Sequence, residues 1–151
     1  MTYHLFYLVG IFYLIRELIE LIQPIQYINK MKTLYKMVDK KNEPNAYEYK
    51  HLTIDEKSAL WYSVFSFIYV LWMLVGLFTS EWIIFLTFII FSFLIYSPIV
   101  KVIRTKLGMG KTYITAHIIS TIIDICLILF AIINHYHLHI DLLKLFLNLF
   151  R

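Results

Sequence analysis

Cysteine is almost absent from this sequence. The single one, Cys126, lies inside an apolar block, which excludes an internal disulfide and leaves the compartment open. Catalytic sets are missing as well. No serine, cysteine or paired-carboxylate hydrolase arrangement occurs, and Ser58, Ser63 and Ser66, near the small Ala59, suit helix–helix contact better than nucleophilic chemistry. A glycine-rich phosphate loop is also lacking. Gly108-Met109-Gly110-Lys111-Thr112 resembles the end of one, but Thr105 stands where the leading glycine belongs, so nucleotide binding is excluded. Charge is scarce, at 16% of residues. Alternating apolar and polar residues of the kind a membrane barrel needs are not found, so apolar segments have to be helical.

What is abundant is apolar sequence. Hydrophobic residues make up 60% of the 151 and aromatics 18%. Mean hydropathy is +0.71. Soluble domains run at about 45–50% apolar. The apolar residues fall into long blocks, which leaves no room for a separate soluble domain. The sequence predicts an all-α integral membrane protein, a single domain of four transmembrane helices. These span about 3–25, 59–78, 82–103 and 113–134. The first segment has no basic leader and no small-residue cleavage site, so it reads as a retained helix.

The loops set the orientation. The 29–57 loop carries Lys30, Lys32, Lys36, Lys40, Lys41, Lys50 and Lys57, and the turn after the third helix carries Lys101, Arg104, Lys106 and Lys111. The opposite side has only Lys144 and Arg151. The positive-inside rule then puts both termini on the non-cytoplasmic side of a membrane, by composition a bacterial inner membrane. The Thr79-Ser80-Glu81 turn forces the second and third spans into an antiparallel hairpin. Ile28 to Val38 has helical spacing, with Leu34, Met37 and Val38 on one side, and predicts a short surface helix. Asn42-Glu43-Pro44-Asn45 breaks that segment, and Thr53-Ile54-Asp55-Glu56 fits a capping box. At the other end, His137, Asp141, Lys144, Asn148 and Arg151 form one stripe of an otherwise apolar amphipathic interfacial helix over 137–151.

The expense lies in the first span. Arg16, Glu17 and Glu20 sit near its middle, where each charge costs a few kcal/mol unless paired or wet. The helix therefore faces protein or a cavity on that side. The fourth span offers a matching stripe that includes His117, Ser120, Thr121 and Asp124. The two helices run antiparallel, and an Arg16–Asp124 ion pair is expected inside the bundle. Glu17, Glu20, His117 and Asp124 together suggest a proton or cation path. Lys101, Arg104, Lys106 and Lys111 are candidate ligands of anionic phospholipid headgroups. His135 and His139 share an i, i+4 spacing, a weak metal candidate with no fixed third ligand. No cofactor, enzymatic activity or nucleic-acid partner is expected. The first functional expectation is a membrane protein that acts by association, as a homo-oligomer or as a small subunit of a larger membrane complex. The alternative is a small proton or cation channel or holin-like pore.

Overall fold

A computed structural model describes residues 2–39 and 52–140 of the chain. Among them there are five helices and no strand. Helix α1 spans Thr2–Ile22 and α2 spans Pro24–Asp39. Helix α3 spans Ile54–Gly76, α4 spans Trp82–Leu107 and α5 spans Lys111–Leu138. The last three are long and apolar enough to cross a membrane, at 23, 26 and 28 residues. The expected 137–151 helix lies, beyond Ile140, outside the described residues, as does the break at 42–45.

Local chemistry explains the element ends. Pro24 lacks a backbone donor, so it closes α1 and opens α2, where a missing N–H costs nothing. Helix α2 is longer than the expected surface segment. It buries Ile28 and Met37, while Val38 is exposed. The capping box forms as expected: the Glu56 N–H donates to Thr53 Oγ1 and the Thr53 N–H donates to Glu56 Oε2. That cap starts α3 at Ile54, ahead of the apolar block that begins at Ala59.

Helix α4 widens into a π-helical stretch over Ile90–Tyr96, just before Pro98. The proline ring excludes the carbonyl four residues back, and Ser97 N–H reaches instead to Ser92 five back. Helix α5 runs past its expected end at 134 through a second π stretch, Asn134–Leu138. His139 then takes a left-handed backbone with φ 48°. Asn134 fixes this end, because its Oδ1 accepts from the Ile140 N–H at 3.0 Å.

Helix α1 runs antiparallel to α3 and to α5. Tyr13 meets Tyr69, Arg16 meets Ser66 and Glu20 meets Tyr62 along α3. The centre of the bundle is an aromatic layer of Tyr13, Tyr69, Trp72, Phe85 and Phe88 with Ile128 and Ala131. Edge-to-face contacts such as Trp72–Phe85, 5.2 Å between centroids, lock its rings. Trp72 Nε1 donates to the Phe6 carbonyl at 3.0 Å, which removes its one polar penalty. Gly76 has no side chain because the Phe85 ring occupies the place where one would stand. The hairpin between α3 and α4 closes tightly on that contact. Outward faces remain apolar, with Leu8, Phe12, Phe67, Phe93 and Leu94 all exposed.

Candidate functional site: two polar clusters inside the bundle

Helix α2 folds across the end of the bundle that carries the basic turn. It brings Tyr27 against α5, where the Tyr27 and His117 rings stack at 3.6 Å and 8°. Burial pushes the Tyr27 hydroxyl well above its ordinary range and keeps it a neutral phenol. His117 is buried, with its Nε2 3.8 Å from Glu20 Oε2. Glu20 is the hub of this basic-end cluster. Arg16 Nε donates to its Oε1 at 2.9 Å, and the Tyr62 hydroxyl donates to the same oxygen at 2.8 Å. Arg16 Nη2 donates to Ser66 Oγ at 2.9 Å, and the guanidinium lies 4.6 Å from the Tyr62 ring centroid. An arginine held by a carboxylate, a hydroxyl and an aromatic face is well compensated at a buried site.

The expected Arg16–Asp124 pair does not form. The reason is local: Glu20 is one turn further along α1 and needs no help from another helix to reach Arg16. Asp124 is left with Oδ1 buried and without a hydrogen bond. Arg16 Nη1, the Tyr69 and Tyr96 hydroxyls and His117 Nε2 are in the same condition. Glu17 is buried beside them, close enough for its charge to act on Glu20, Asp124 and Arg16. Ser120 and Thr121 are buried on the same face of α5. The stripe read from sequence is thus turned inward, into one chain's own interior. A buried polar atom left unsatisfied costs about 1–3 kcal/mol. Five such atoms near three carboxylates make this part of the interior polar and incompletely bonded.

A second cluster lies at the opposite end, beside the 79–81 turn. Glu81 is buried and accepts hydrogen bonds from the Tyr7 hydroxyl and from Ser80 Oγ. His135 Nδ1 is 3.5 Å from Glu81, and its ring stacks on Tyr7 at 3.9 Å. The pair repeats the Tyr27–His117–Glu20 grouping at the other end. A cavity of about 630 Å³ opens here, lined by His4, Glu81, His135 and His139 among others. The left-handed turn at His139 ends the helix, so the i, i+4 geometry expected of His135 and His139 is lost. Among the described residues no three histidine, cysteine or acidic side chains converge as a metal site.

The remaining candidates are dispersed. Arg104 packs 4.1 Å from the Tyr35 ring centroid, tying α4 to α2. Lys101, Lys106 and Lys111 are exposed at the same end. Sequence reading missed Tyr7, Tyr27, Tyr62 and Glu81. The last sits directly before an apolar block, opposite two histidines in an antiparallel fold, and that placement was the available signal. Comparison with protein-family models, with characterised proteins and with solved structures finds no match to this chain.

Proposed function

We propose that the chain is a four-span membrane protein, α1 being the fourth span, that holds and passes a proton or small cation through its own interior. One observation carries this reading: five buried polar atoms without partners, drawn from α1, α3, α4 and α5 and including Asp124 Oδ1 itself, gather in the region of Glu17, Glu20 and Asp124. A proton on a carboxylate, or a small cation among the three acids, relieves both their repulsion and the unmet hydrogen bonds. Arg16 offsets one of the three charges. The aromatic layer lies between these acids and the turn end, and a crevice bordered by Arg16 and Glu20 opens at the basic end, so exchange runs through the basic, cytoplasmic side. Passage requires Tyr69 and Trp72 to part. No reaction is implied by this arrangement. The inward stripe also counts against a pore built between copies, because among the described residues the outward mid-span faces carry scattered hydroxyls such as Ser63 and Thr87 but no charged side chain.

The test is flux in proteoliposomes. Wild-type protein collapses a proton or cation gradient faster than empty vesicles, and Asp124→Asn and Glu17→Gln each lower that rate at least tenfold with assembly intact. A wild-type rate equal to empty vesicles, for protons and for monovalent cations alike, overturns the reading. A second reading, association within a larger membrane complex, draws on α4: from Ile90 to Leu107 no residue is fully buried, which leaves a long apolar side open to a partner. Fixed-ratio co-purification with other chains from the native membrane supports it, and a bare monomer by native mass spectrometry counts against it.

A further inference from the structure

Two cavities meet at the basic end of the bundle, and the first borders the Arg16–Glu20 pair of the polar cluster. The first is a crevice of about 470 Å³ between α1, α2 and α3. Its outer wall is apolar, with Phe12, Ile15, Ile19, Trp61 and Phe65 all exposed, and its inner wall carries Arg16 and Glu20, which are paired with each other. The second is a polar recess of about 270 Å³, lined by Gln26, Asn29, Lys30, Thr33, Asp55 and Ser58. Gln26, Lys30 and Ser58 line both, so the two form one amphipathic space. The volumes are those of small-molecule sites, which run from about 300 to 1,000 Å³.

We propose that this space seats one phospholipid with a primary-amine headgroup. The inference rests on the four-span reading, which puts the crevice in the hydrocarbon of the cytoplasmic leaflet and the recess at its headgroup level. Charge decides the headgroup. The recess offers one cation, Lys30, and one anion, Asp55, with no ion pair between them. A zwitterionic headgroup presents the complement: its phosphate meets Lys30 and its ammonium meets Asp55. The Lys30 amine already lies 5.6 Å from the Tyr62 ring centroid, which orients it at the mouth of the crevice. A primary ammonium donates N–H bonds to Asp55, Asn29 Oδ1 and Thr33 Oγ1, and a quaternary one cannot. Phosphatidylglycerol satisfies Lys30 but leaves Asp55 facing a neutral glycerol. The acyl chain lies along Phe12, Ile15, Ile19, Trp61 and Phe65. This assignment differs from the exposed lysines at 101, 106 and 111, which suit a general attraction to anionic lipid.

The full chain in mild detergent, titrated with phosphatidylethanolamine, phosphatidylglycerol or phosphatidylcholine, tests this by native mass spectrometry. One phosphatidylethanolamine adduct per chain is expected, retained at least fivefold better than the other two lipids. Lys30→Ala and Asp55→Asn each lower retention about fivefold, and Lys106→Ala leaves it unchanged. Ile19→Trp, which fills the crevice without touching the recess, lowers it as well. Equal retention of the three lipids overturns the proposal, as does retention unaffected by both recess variants. Helicity and melting of every variant are read in parallel, so that lost binding is scored only on folded protein. Labelling of single cysteines at the ends of α1, from either side of sealed vesicles, tests the four-span reading separately. If α1 spans and no lipid is selected, this proposal alone fails.

Discussion

The two ends of the bundle use the same three residue types to opposite effect. At the turn end, Glu81 receives the Tyr7 and Ser80 hydroxyls and has His135 beside it. At the basic end, Glu20 receives Arg16 and Tyr62 and has His117 beside it. Both histidines stack on a tyrosine from α1 or α2. The difference is in what is left over. Glu81 takes two hydrogen bonds on Oε2, both from neutral hydroxyls. Around Glu20 an arginine and two further acids are added, and five polar atoms in that region lack partners. A buried carboxylate held by neutral neighbours, with no second acid beside it, acts as a clasp, fixing α1, the hairpin turn and α5 to one another. A carboxylate in an incompletely bonded group can change its proton or its counter-ion at small structural expense. The similarity of the two sites is therefore a guide to packing, and the contrast between them is a guide to function.

Arg16→Ala is expected to have the largest effect. It leaves Glu20 without its cation at a buried site, a loss of about 3–5 kcal/mol. Denaturation in detergent micelles measures it. A loss below about 1 kcal/mol means the Arg16–Glu20 pair does not hold the basic end together and that end is a clasp like the other. Glu81→Gln follows in size. The amide keeps an acceptor for Tyr7 and Ser80, so only the charge-assisted part of two hydrogen bonds is lost, about 1–2 kcal/mol. Flux should be unchanged by this variant, because Glu81 lies beyond the aromatic layer. If Glu81→Gln stops flux as Asp124→Asn does, both clusters belong to one path and the contrast drawn between them is wrong.

Gly76→Ala probes the layer between them. A methyl there meets the Phe85 ring, which has to move, and overpacking of this kind costs about 1–3 kcal/mol. Melting temperature reports the cost. A faster leak in the same variant, with the fold retained, identifies the aromatic layer as the barrier between the two ends.

Much of this was legible in the sequence, and the gaps have physical causes. Three apolar helices, the hairpin turn and the Thr53 cap follow from block length, loop length and local hydrogen bonding. The inward stripe of α5 was legible from steps of three and four residues. The partner of Arg16 was not. Depth in a bilayer places Arg16 level with Asp124, but a same-helix neighbour four residues away competes at no entropic disadvantage, and Glu20 won. Glu81 was read only as part of a turn, since nothing local in Thr-Ser-Glu says that α1 and α5 will bring Tyr7 and His135 over it. The tyrosines were hidden for another reason. Twelve are spread through the chain, and a membrane sequence offers the interface as a ready home for each, so their gathering around buried carboxylates depends on inter-helix register that no single segment encodes.

The smallest expected effect gives the sharpest separation of the two ends. Replacing histidine by phenylalanine keeps a ring to stack on tyrosine and removes both nitrogens. At His135 the stack on Tyr7 survives, and the lost 3.5 Å approach to Glu81 is longer than a hydrogen bond. His135→Phe should therefore change stability by less than about 1 kcal/mol, within the range of an ordinary partly exposed substitution, and leave flux alone. At His117 the stack on Tyr27 also survives, and Nε2 has no hydrogen bond to lose. His117→Phe should be equally mild or even stabilising in melting, because an unmet polar atom is replaced by carbon. Its flux should nonetheless fall several-fold, since the proposed path uses the ring nitrogen 3.8 Å from Glu20 as a relay. Two variants matched in stability and split in flux would assign the nitrogen at 117 to transfer and the one at 135 to structure. Matched flux would place His117 with the packing residues and confine any transfer to the carboxylates.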